Sequence, residues 1–313
     1  MTIVCGTDFS EHAEQAGRAA AAVAKRLGVP LKLVHVLPES PLLLSLVPSE
    51  ANLRTALNAQ AAKLHLHFGV DVEPIALFGV PHEALLEFAL AANASLVVLS
   101  SLGMKKQQHW LVGSVAERVA QRSSLPVLVV RNAAGIEAWA RAERALSVML
   151  GADLGATSMG ALRWVEGLRR VLPCDVCIAQ VAWPFAEHAR LGIKGAVALE
   201  GLRPELQARL EADLKTWAGT LQGEGNTTFL VSACWGRVDG HLAQLADEAH
   251  VDLLVVGTHQ RAWAARAWQG SVSRGVLHYA SSNVACVPPP RAREDDSALL
   301  PLDVAANARD LVD

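Results

Sequence analysis

Two parts of the chain repeat one pattern, and this repeat limits the folds that the chain can adopt. The segment "TIVCGTDFS" (2–10) aligns with "SVMLGADLG" (147–155), 145 residues later. A second segment, 78–100, aligns with 235–257 at an offset of 157 residues. Self-similarity at a domain-sized spacing is typical of a duplicated structural unit. The sequence therefore predicts two tandem copies of one domain.

The change of offset from 145 to 157 places twelve extra residues in the second copy, between residues 181 and 236. The segment "WPFAEHARLGIKGAVALEGLRPEL" (183–206) is the expected insertion. From the repeat we predict four parts of the chain: a first domain at 1–131, a linker at 132–145, a second domain at 146–290 and a flexible tail at 291–313.

Within each copy, short apolar runs alternate with amphipathic stretches. In the first copy, the strand "TIVCG" precedes a helix over 11–27, and "LKLVHVL" precedes a helix over about 49–68. The weaker strand "VDVEPIAL", a helix over 81–92, "SLVVLS", the helix "SVAERVAQRS" and the strand "PVLVVR" complete the copy. This alternation predicts an α/β fold with a doubly wound parallel sheet. Ligands of such sheets bind at the carboxyl ends of the strands.

Charge and hydropathy exclude several classes of protein. A net charge of -3 and a pI near 6.4 supply no basic face, so we expect no nucleic-acid partner. No apolar stretch has the length of a membrane span, and the first residues lack the basic region of a signal peptide. We therefore expect a cytoplasmic protein with no membrane partner.

The sequence gives only weak evidence for metal, redox or catalytic sites. Cys174 and Cys177 lie in a predicted strand, where residues three apart point to opposite faces, so burial as small apolar residues is favoured over a metal or redox pair. His12 and His82 near helix starts are expected to be exposed, and His35 either lines a ligand pocket or packs in its strand. No Walker A loop, dinucleotide fingerprint, zinc motif or nucleophile elbow is present. We therefore predict neither a metal site nor a dedicated catalytic apparatus, with slow ATP hydrolysis left open.

A glycine-bounded basic loop, "SSLGMKKQQHWLVGSVAERV" (100–119), precedes a predicted helix that begins near Ser114. Free N–H groups and the helix dipole at such a start favour a phosphate, and Gly103 and Gly113 let the backbone approach it. The alternative for Gly113-Ser114 is an ordinary helix N-cap. For Asp8, which follows the first strand, the alternatives are a ribose contact and a cap of the next helix.

The loop has the spacing G-2x-G-9x-G-(S/T) in both copies, and each first strand is followed by an aspartate. Copy one reads Ser100-x-x-Gly103-(nine residues)-Gly113-Ser114, and copy two reads Gly257-x-x-Gln260-(nine residues)-Gly270-Ser271. With this motif, the chain resembles the universal stress protein family in its tandem form over about 1–131 and 146–288.

The resemblance implies two five-stranded sheets with strand order 3-2-1-4-5, adenine nucleotide alpha-hydrolase-like, and ATP as ligand, with or without Mg²⁺. It implies that the aspartate and the end of the second strand hold ribose and adenine, and that the glycine motif holds the phosphates. The residues carried over are Asp8, Val36, Gly103, Gly113, Ser114 and Val115 in copy one, and Asp153, Val181, Gly257, Gly270, Ser271 and Val272 in copy two. It also implies association through the last strands, as an internal pseudo-dimer of the two copies and as a homodimer.

The departures from the motif predict unequal copies. If position 100 has positive φ, Ser100 costs about 1 kcal/mol there. In copy two, Gln260 replaces a glycine, and Trp263 and Trp268 suit packing better than anion binding. We expect copy one to bind better. The predicted function is an adenine-nucleotide-binding sensor or regulator of the stress response; the alternative is a protein-interaction scaffold that has lost its nucleotide.

Overall fold

The computed structural model describes residues 1–37, 50–102, 112–192, 201–258 and 272–289. The chain divides into two compact units: unit 1 contains Met1–Arg144 and unit 2 contains Ala145–Ala292. None of the helices in these described segments is long and apolar enough to cross a membrane.

Unit 1 alternates strands and helices as predicted. Its elements are β1 (Thr2–Gly6), α1 (Glu11–Leu27), β2 (Leu31–Leu37), α2 (Glu50–Phe68), β3 (Val72–Phe78), α3 (Pro81–Ala91), β4 (Ala94–Ser100), α4 (Ser114–Arg122), β5 (Val127–Val130) and α5 (Ala134–Ala140). The strands are ordered β3-β2-β1-β4-β5 and pair in parallel. The predicted α/β class is thus confirmed, and the strand order is the expected 3-2-1-4-5.

Unit 2 repeats this topology. Its elements are β6 (Leu146–Gly151), α6 (Ala156–Val171), β7 (Cys174–Ala182), α7 (Pro184–Arg190), α8 (Pro204–Ala218), β8 (Thr227–Ala233), α9 (Val238–Glu248), β9 (Leu253–Gly257), α10 (Val272–Tyr279) and β10 (Asn283–Val287). The order is β8-β7-β6-β9-β10, again with parallel pairs. Helix α7 lies inside the expected insertion.

Local sequence explains where α1 begins and ends. The Ser10 Oγ accepts a hydrogen bond from the Ala13 N–H at 3.1 Å, and Gly28 ends the helix with φ of 65°. Glycine adopts this left-handed backbone without a Cβ penalty. The buried face of α1 is nearly all alanine, which lets the helix lie close to the central strands.

Helix α5 lies within the predicted linker and is anchored to α1. Arg18 donates to both carboxylate oxygens of Glu137, at 2.6 and 2.8 Å, and Glu137 is buried. The Ala133 N–H donates to Gln15 Oε1 at 3.1 Å, and the Trp139 ring is fully buried. These contacts make α5 part of unit 1.

All five cysteines are free thiols. Cys174 and Cys177 both lie in β7; the former is buried and the latter half-buried, as expected for strand residues. Burial raises the pKa of Cys5 and of Cys286 to about 12. Because the thiolate is the reactive form, these two groups are inert at neutral pH.

Candidate functional site

The same backbone turn follows the first strand of each unit. Asp8 and Asp153 lie two residues beyond the ends of β1 and β6, and the next residues, Phe9 and Leu154, have φ of 64° and 59°. A left-handed backbone costs a non-glycine residue about 1–2 kcal/mol. Its presence in both units shows that the turn is a property of the fold, and it sets both aspartates at the carboxyl edge of the parallel strands.

In unit 1, the Asp8 carboxylate is held beside the start of α1. Its Oδ1 accepts from the Ser10 N–H at 3.1 Å and from the Ser10 hydroxyl at 2.6 Å. Ser10 itself caps the helix. The interpretation of Asp8 as the helix cap is therefore wrong: Asp8 positions the residue that caps.

In unit 2, the corresponding Asp153 is held by a different serine. Its Oδ1 accepts from the Gly155 N–H at 2.8 Å and from the Ser158 hydroxyl at 2.5 Å. The Ser158 Oγ in turn accepts from the Asp153 N–H at 3.0 Å. The serine that bonds the aspartate is thus the N-cap residue of α1 in unit 1 and a residue of the first turn of α6 in unit 2, whereas the aspartate occupies the same position in both units.

The end of β2 borders the same edge. Val36, the penultimate residue of β2, is half-buried, as is Val181 at the corresponding place in β7. His35 Nδ1 lies 2.8 Å from the Thr7 carbonyl oxygen, and its ring lies 4.6 Å from that of Phe9. His35 thus packs against its neighbours but is only half-buried, and its role in lining a ligand pocket stays a prediction.

The start of α4 has the features of an anion site. The Gly113 N–H donates to the Ser101 carbonyl at 2.7 Å, and the Gly113 carbonyl accepts the first helical bond, from Glu117, at 3.0 Å. Gly113 is the N-cap and provides no side-chain cap. The N–H groups of Ser114 and Val115 belong to the first turn and have no acceptor within the helix. Ser114 is exposed and Val115 is half-buried.

Four of the residues that carry the glycine motif lie outside the described residues: Gly103, Gln260, Gly270 and Ser271. The same is true of Trp263 and Trp268. Val272 is the first residue of α10 and is exposed. By topology, β1, β2 and β4 are neighbours, so their carboxyl ends bring Asp8, Val36 and the start of α4 to one edge of unit 1.

The two residues at the first glycine position have different environments. Ser100 is the last residue of β4, is not among the positive-φ residues, and donates its hydroxyl to the Leu102 carbonyl at 2.8 Å. The backbone cost considered for Ser100 therefore does not arise. A Cβ on Gly257 would lie 2.6 Å from the carbonyl carbon and oxygen of Thr157. Gly257 is thus required where α6 packs on the end of β9.

His82 is buried, and the expectation that it is exposed was wrong. Its Nε2 accepts from the Arg122 guanidinium at 3.0 Å. Burial and the nearby Arg122 charge hold the pKa of His82 below its usual value. The imidazole is therefore neutral at pH 7. No group of three or more His, Cys, Asp or Glu side chains in the described segments could hold a metal ion.

Sequence reasoning missed an aromatic cluster in unit 2, formed by Trp183, Phe185 and Trp235. Their side chains are 54%, 50% and 42% exposed. The ring centroids of Trp183 and Phe185 lie 6.2 Å apart, those of Phe185 and Trp235 lie 5.5 Å apart, and both pairs meet edge to face. Trp183 directly follows β7 and Trp235 follows β8 by two residues. An aromatic residue just after each of two adjacent strands was the available signal.

Comparison with known proteins agrees with the duplicated architecture. The sequence pattern of the Universal stress protein family matches residues 1–131 and 146–288. Universal stress protein MJ0531 of Methanocaldococcus jannaschii is 31% identical over 141 residues, which are 42% of this chain and 81% of that protein. A universal stress protein of Thermus aquaticus, named for its place in the QAH/OAS sulfhydrylase 3′ region, is 30% identical over 42% of this chain and 98% of its own.

Among solved structures, a universal stress protein from Archaeoglobus fulgidus superposes with a TM-score of 0.59 at 16% identity, over 92% of this chain and 98% of its own. At that identity, the likeness bears on the fold alone. The two matches of the family pattern fall one in each unit. The chain therefore belongs to the universal stress protein family and carries two of its domains in tandem.

Proposed function

We propose that the chain is an adenine-nucleotide-binding regulator and that unit 1 holds the better site. In this proposal, Asp8 and the end of β2 at Val36 contact ribose and adenine. Gly103, Gly113, Ser114 and Val115 hold the phosphates. The counterparts in unit 2 are Asp153, Val181, Gly257, Gly270, Ser271 and Val272.

The start of α4 is the observation that carries the proposal. Helices α1 and α4 follow the adjacent strands β1 and β4, and they begin differently. Helix α1 is capped by the Ser10 hydroxyl, whereas α4 begins at Gly113 with no side-chain cap. Helix N-terminal N–H groups that the N-cap side chain does not bond, together with the positive end of the helix dipole, favour a bound anion. The Ser114 hydroxyl adds a further donor.

The ligand that fits this arrangement is ATP, with Mg²⁺ as an optional companion of the phosphates. We assign the chain a sensing or regulatory role in the cytoplasm and not a metabolic reaction. The alternative, a scaffold without nucleotide, drew support from Ser100 and Gln260. The relaxed backbone at Ser100 removes the first of these arguments. The remaining argument concerns unit 2 only.

Isothermal titration with ATP tests the proposal by comparing two variants that add the same charge to unit 1. Gly113→Asp puts a carboxylate at the proposed phosphate site. Ala91→Asp puts one at the last, exposed residue of α3, which leads to the opposite edge of the sheet. We expect Gly113→Asp to weaken ATP binding at unit 1 about 5- to 30-fold and Ala91→Asp to leave it within about twofold, since an anion contact at a helix start is worth roughly 1–2 kcal/mol.

Equal affinities of the two variants, or no ATP binding by the unaltered chain, would overturn the assignment. Mass spectrometry of small molecules released from the purified protein gives an independent measurement, and an adenine nucleotide is the expected species. Gly270→Asp provides the comparison for unit 2; we expect a smaller loss than at Gly113.

A further inference from the structure

The aromatic cluster of Trp183, Phe185 and Trp235 is unusual for a surface, because large aromatic rings are normally buried. Each of the three side chains is about half exposed, although Phe185 contacts both tryptophans. Exposed apolar patches of this kind mark binding surfaces. The cluster therefore requires an occupant, and its position indicates the class of that occupant.

The cluster lies where parallel sheets bind small ligands. Trp183 follows the last residue of β7, and Trp235 lies just past β8, so both stand beyond the carboxyl ends of neighbouring strands. Val181, two residues before Trp183, is the proposed base contact of unit 2.

The position of the cluster favours a small aromatic ligand as its occupant. Heteroaromatic bases have a flat face that stacks on exposed rings, and the carboxyl ends of parallel strands are where such sheets bind small ligands. A protein partner would bury the rings but has no comparable reason to bind at this edge of the sheet.

In sequence, unit 1 lacks the two rings that follow the second strand of unit 2. At the offsets of the repeat, Pro38 and Ser40 stand where unit 2 has Trp183 and Phe185, and Phe78 stands where unit 2 has Trp235. Phe78 is exposed, and no ring among the described residues packs against it. The cluster is therefore specific to unit 2, the unit in which Gln260 departs from the phosphate motif.

We propose that the aromatic cluster is a stacking platform for a heteroaromatic base, and that unit 2 recognises its ligand through this base and little through phosphate. The inference rests on the proposed nucleotide-binding function and adds to it a division of ligand preference between the units. Stacking of a base on an aromatic side chain contributes about 1–3 kcal/mol and tolerates different bases. Unit 2 is then a nucleoside site, whereas unit 1 depends on phosphate.

Titration of the full chain with adenosine and with ATP tests the division. We expect the unit 2 site to bind adenosine and ATP with affinities within about threefold, and to survive in Gly113→Asp. Trp183→Ala and Trp235→Ala should each weaken adenosine binding about 5- to 150-fold, the equivalent of one lost stack. Trp183→Phe should restore most of the affinity because it keeps a flat ring. Phe78→Ala is the matched control in unit 1 and should change nothing.

Each further outcome refutes the platform. If the chain binds a single nucleotide, and this binding is lost in Gly113→Asp but unchanged in the tryptophan variants, the proposed site in unit 1 is supported and the stacking platform in unit 2 is wrong. If the variants alter self-association in sedimentation velocity but not adenosine binding, the cluster is a protein-docking surface. If unit 2 binds ATP far more tightly than adenosine, phosphate dominates there also. Because the rings are half-exposed, circular dichroism should show all variants folded.

Discussion

Gly257→Ala should destabilise unit 2 even in the complete absence of ligand. The added methyl carbon would lie 2.6 Å from the carbonyl carbon and oxygen of Thr157 and 3.0 Å from the Ser158 N–H nitrogen. These atoms are backbone, so they cannot move aside as a flexible side chain would; α6 would have to shift away from β9. Overpacking of this kind costs about 1–3 kcal/mol. We expect a loss in the upper half of that range.

The measurement is urea unfolding followed by circular dichroism, with two reference variants. Gly236→Ala is the matched control, because a methyl group there meets no atom within 4 Å and should change the free energy of unfolding by no more than a few tenths of a kcal/mol. Ser100→Gly makes the reverse change at the corresponding place in unit 1. It should lose only about 0.5–1 kcal/mol, chiefly through the greater entropy of the unfolded chain.

A Gly257→Ala protein that unfolds at the same urea concentration as Gly236→Ala would refute the packing argument. The glycine at position 257 would then be explained by the close approach of a ligand and not by packing against α6. A destabilised variant, in contrast, means that lost nucleotide binding in unit 2 cannot be read as lost contact with the nucleotide.

Three further predictions concern buried polar groups, and urea unfolding measures each. Arg18→Met should lower the free energy of unfolding by about 1–3 kcal/mol at pH 7. The hydrogen bond from Arg18 holds the pKa of Glu137 below its usual 4.5. The stabilisation by this pair is therefore present above pH 4.5 and is lost as the pH falls through the lowered pKa of Glu137 in the folded protein. A loss independent of pH between 3 and 7 would contradict this. Arg169→Met should lower the free energy of unfolding by about 2–4 kcal/mol, since this buried guanidinium donates to the Glu224 and Gly225 carbonyls and to the Thr227 hydroxyl. The same substitution at the exposed Arg170 is the control. Equal losses from the two substitutions would argue against the hydrogen-bond network of Arg169. Ser10→Ala should cost more than Ser158→Ala, because only Ser10 caps a helix in addition to bonding the aspartate; the opposite order would contradict the assigned roles.

The fold could be predicted from the sequence because hydrophobic periodicity and the duplication agree. Helix α1 begins and ends at the predicted residues, where a serine and a glycine mark its two ends. The buried strands β4 and β9 are continuous apolar runs, as parallel strands covered on both faces must be. These signals are local in sequence, and for that reason they could be read without coordinates.

Side-chain partners were not predictable, because they depend on distances between elements. His82 sits near a helix start in sequence, yet the packing of α3 against α4 buries it beside Arg122. The cluster of Trp183, Phe185 and Trp235 joins residues some fifty positions apart in sequence through the pairing of β7 with β8. Neither contact leaves a periodic trace in the chain.

The two units also show how far a motif can be trusted as evidence of a ligand. The first motif position holds Ser100 in unit 1, where the backbone is relaxed, and Gly257 in unit 2, where the approach of α6 already excludes a side chain. A glycine at that position therefore has a packing cause that operates without phosphate. The match at 257 adds little to the case for a nucleotide in unit 2, and the mismatch at 100 subtracts little from the case in unit 1. The start of α4 is the place to separate the hypotheses, because there a bound phosphate and an ordinary glycine N-cap predict different effects of added negative charge on ATP binding.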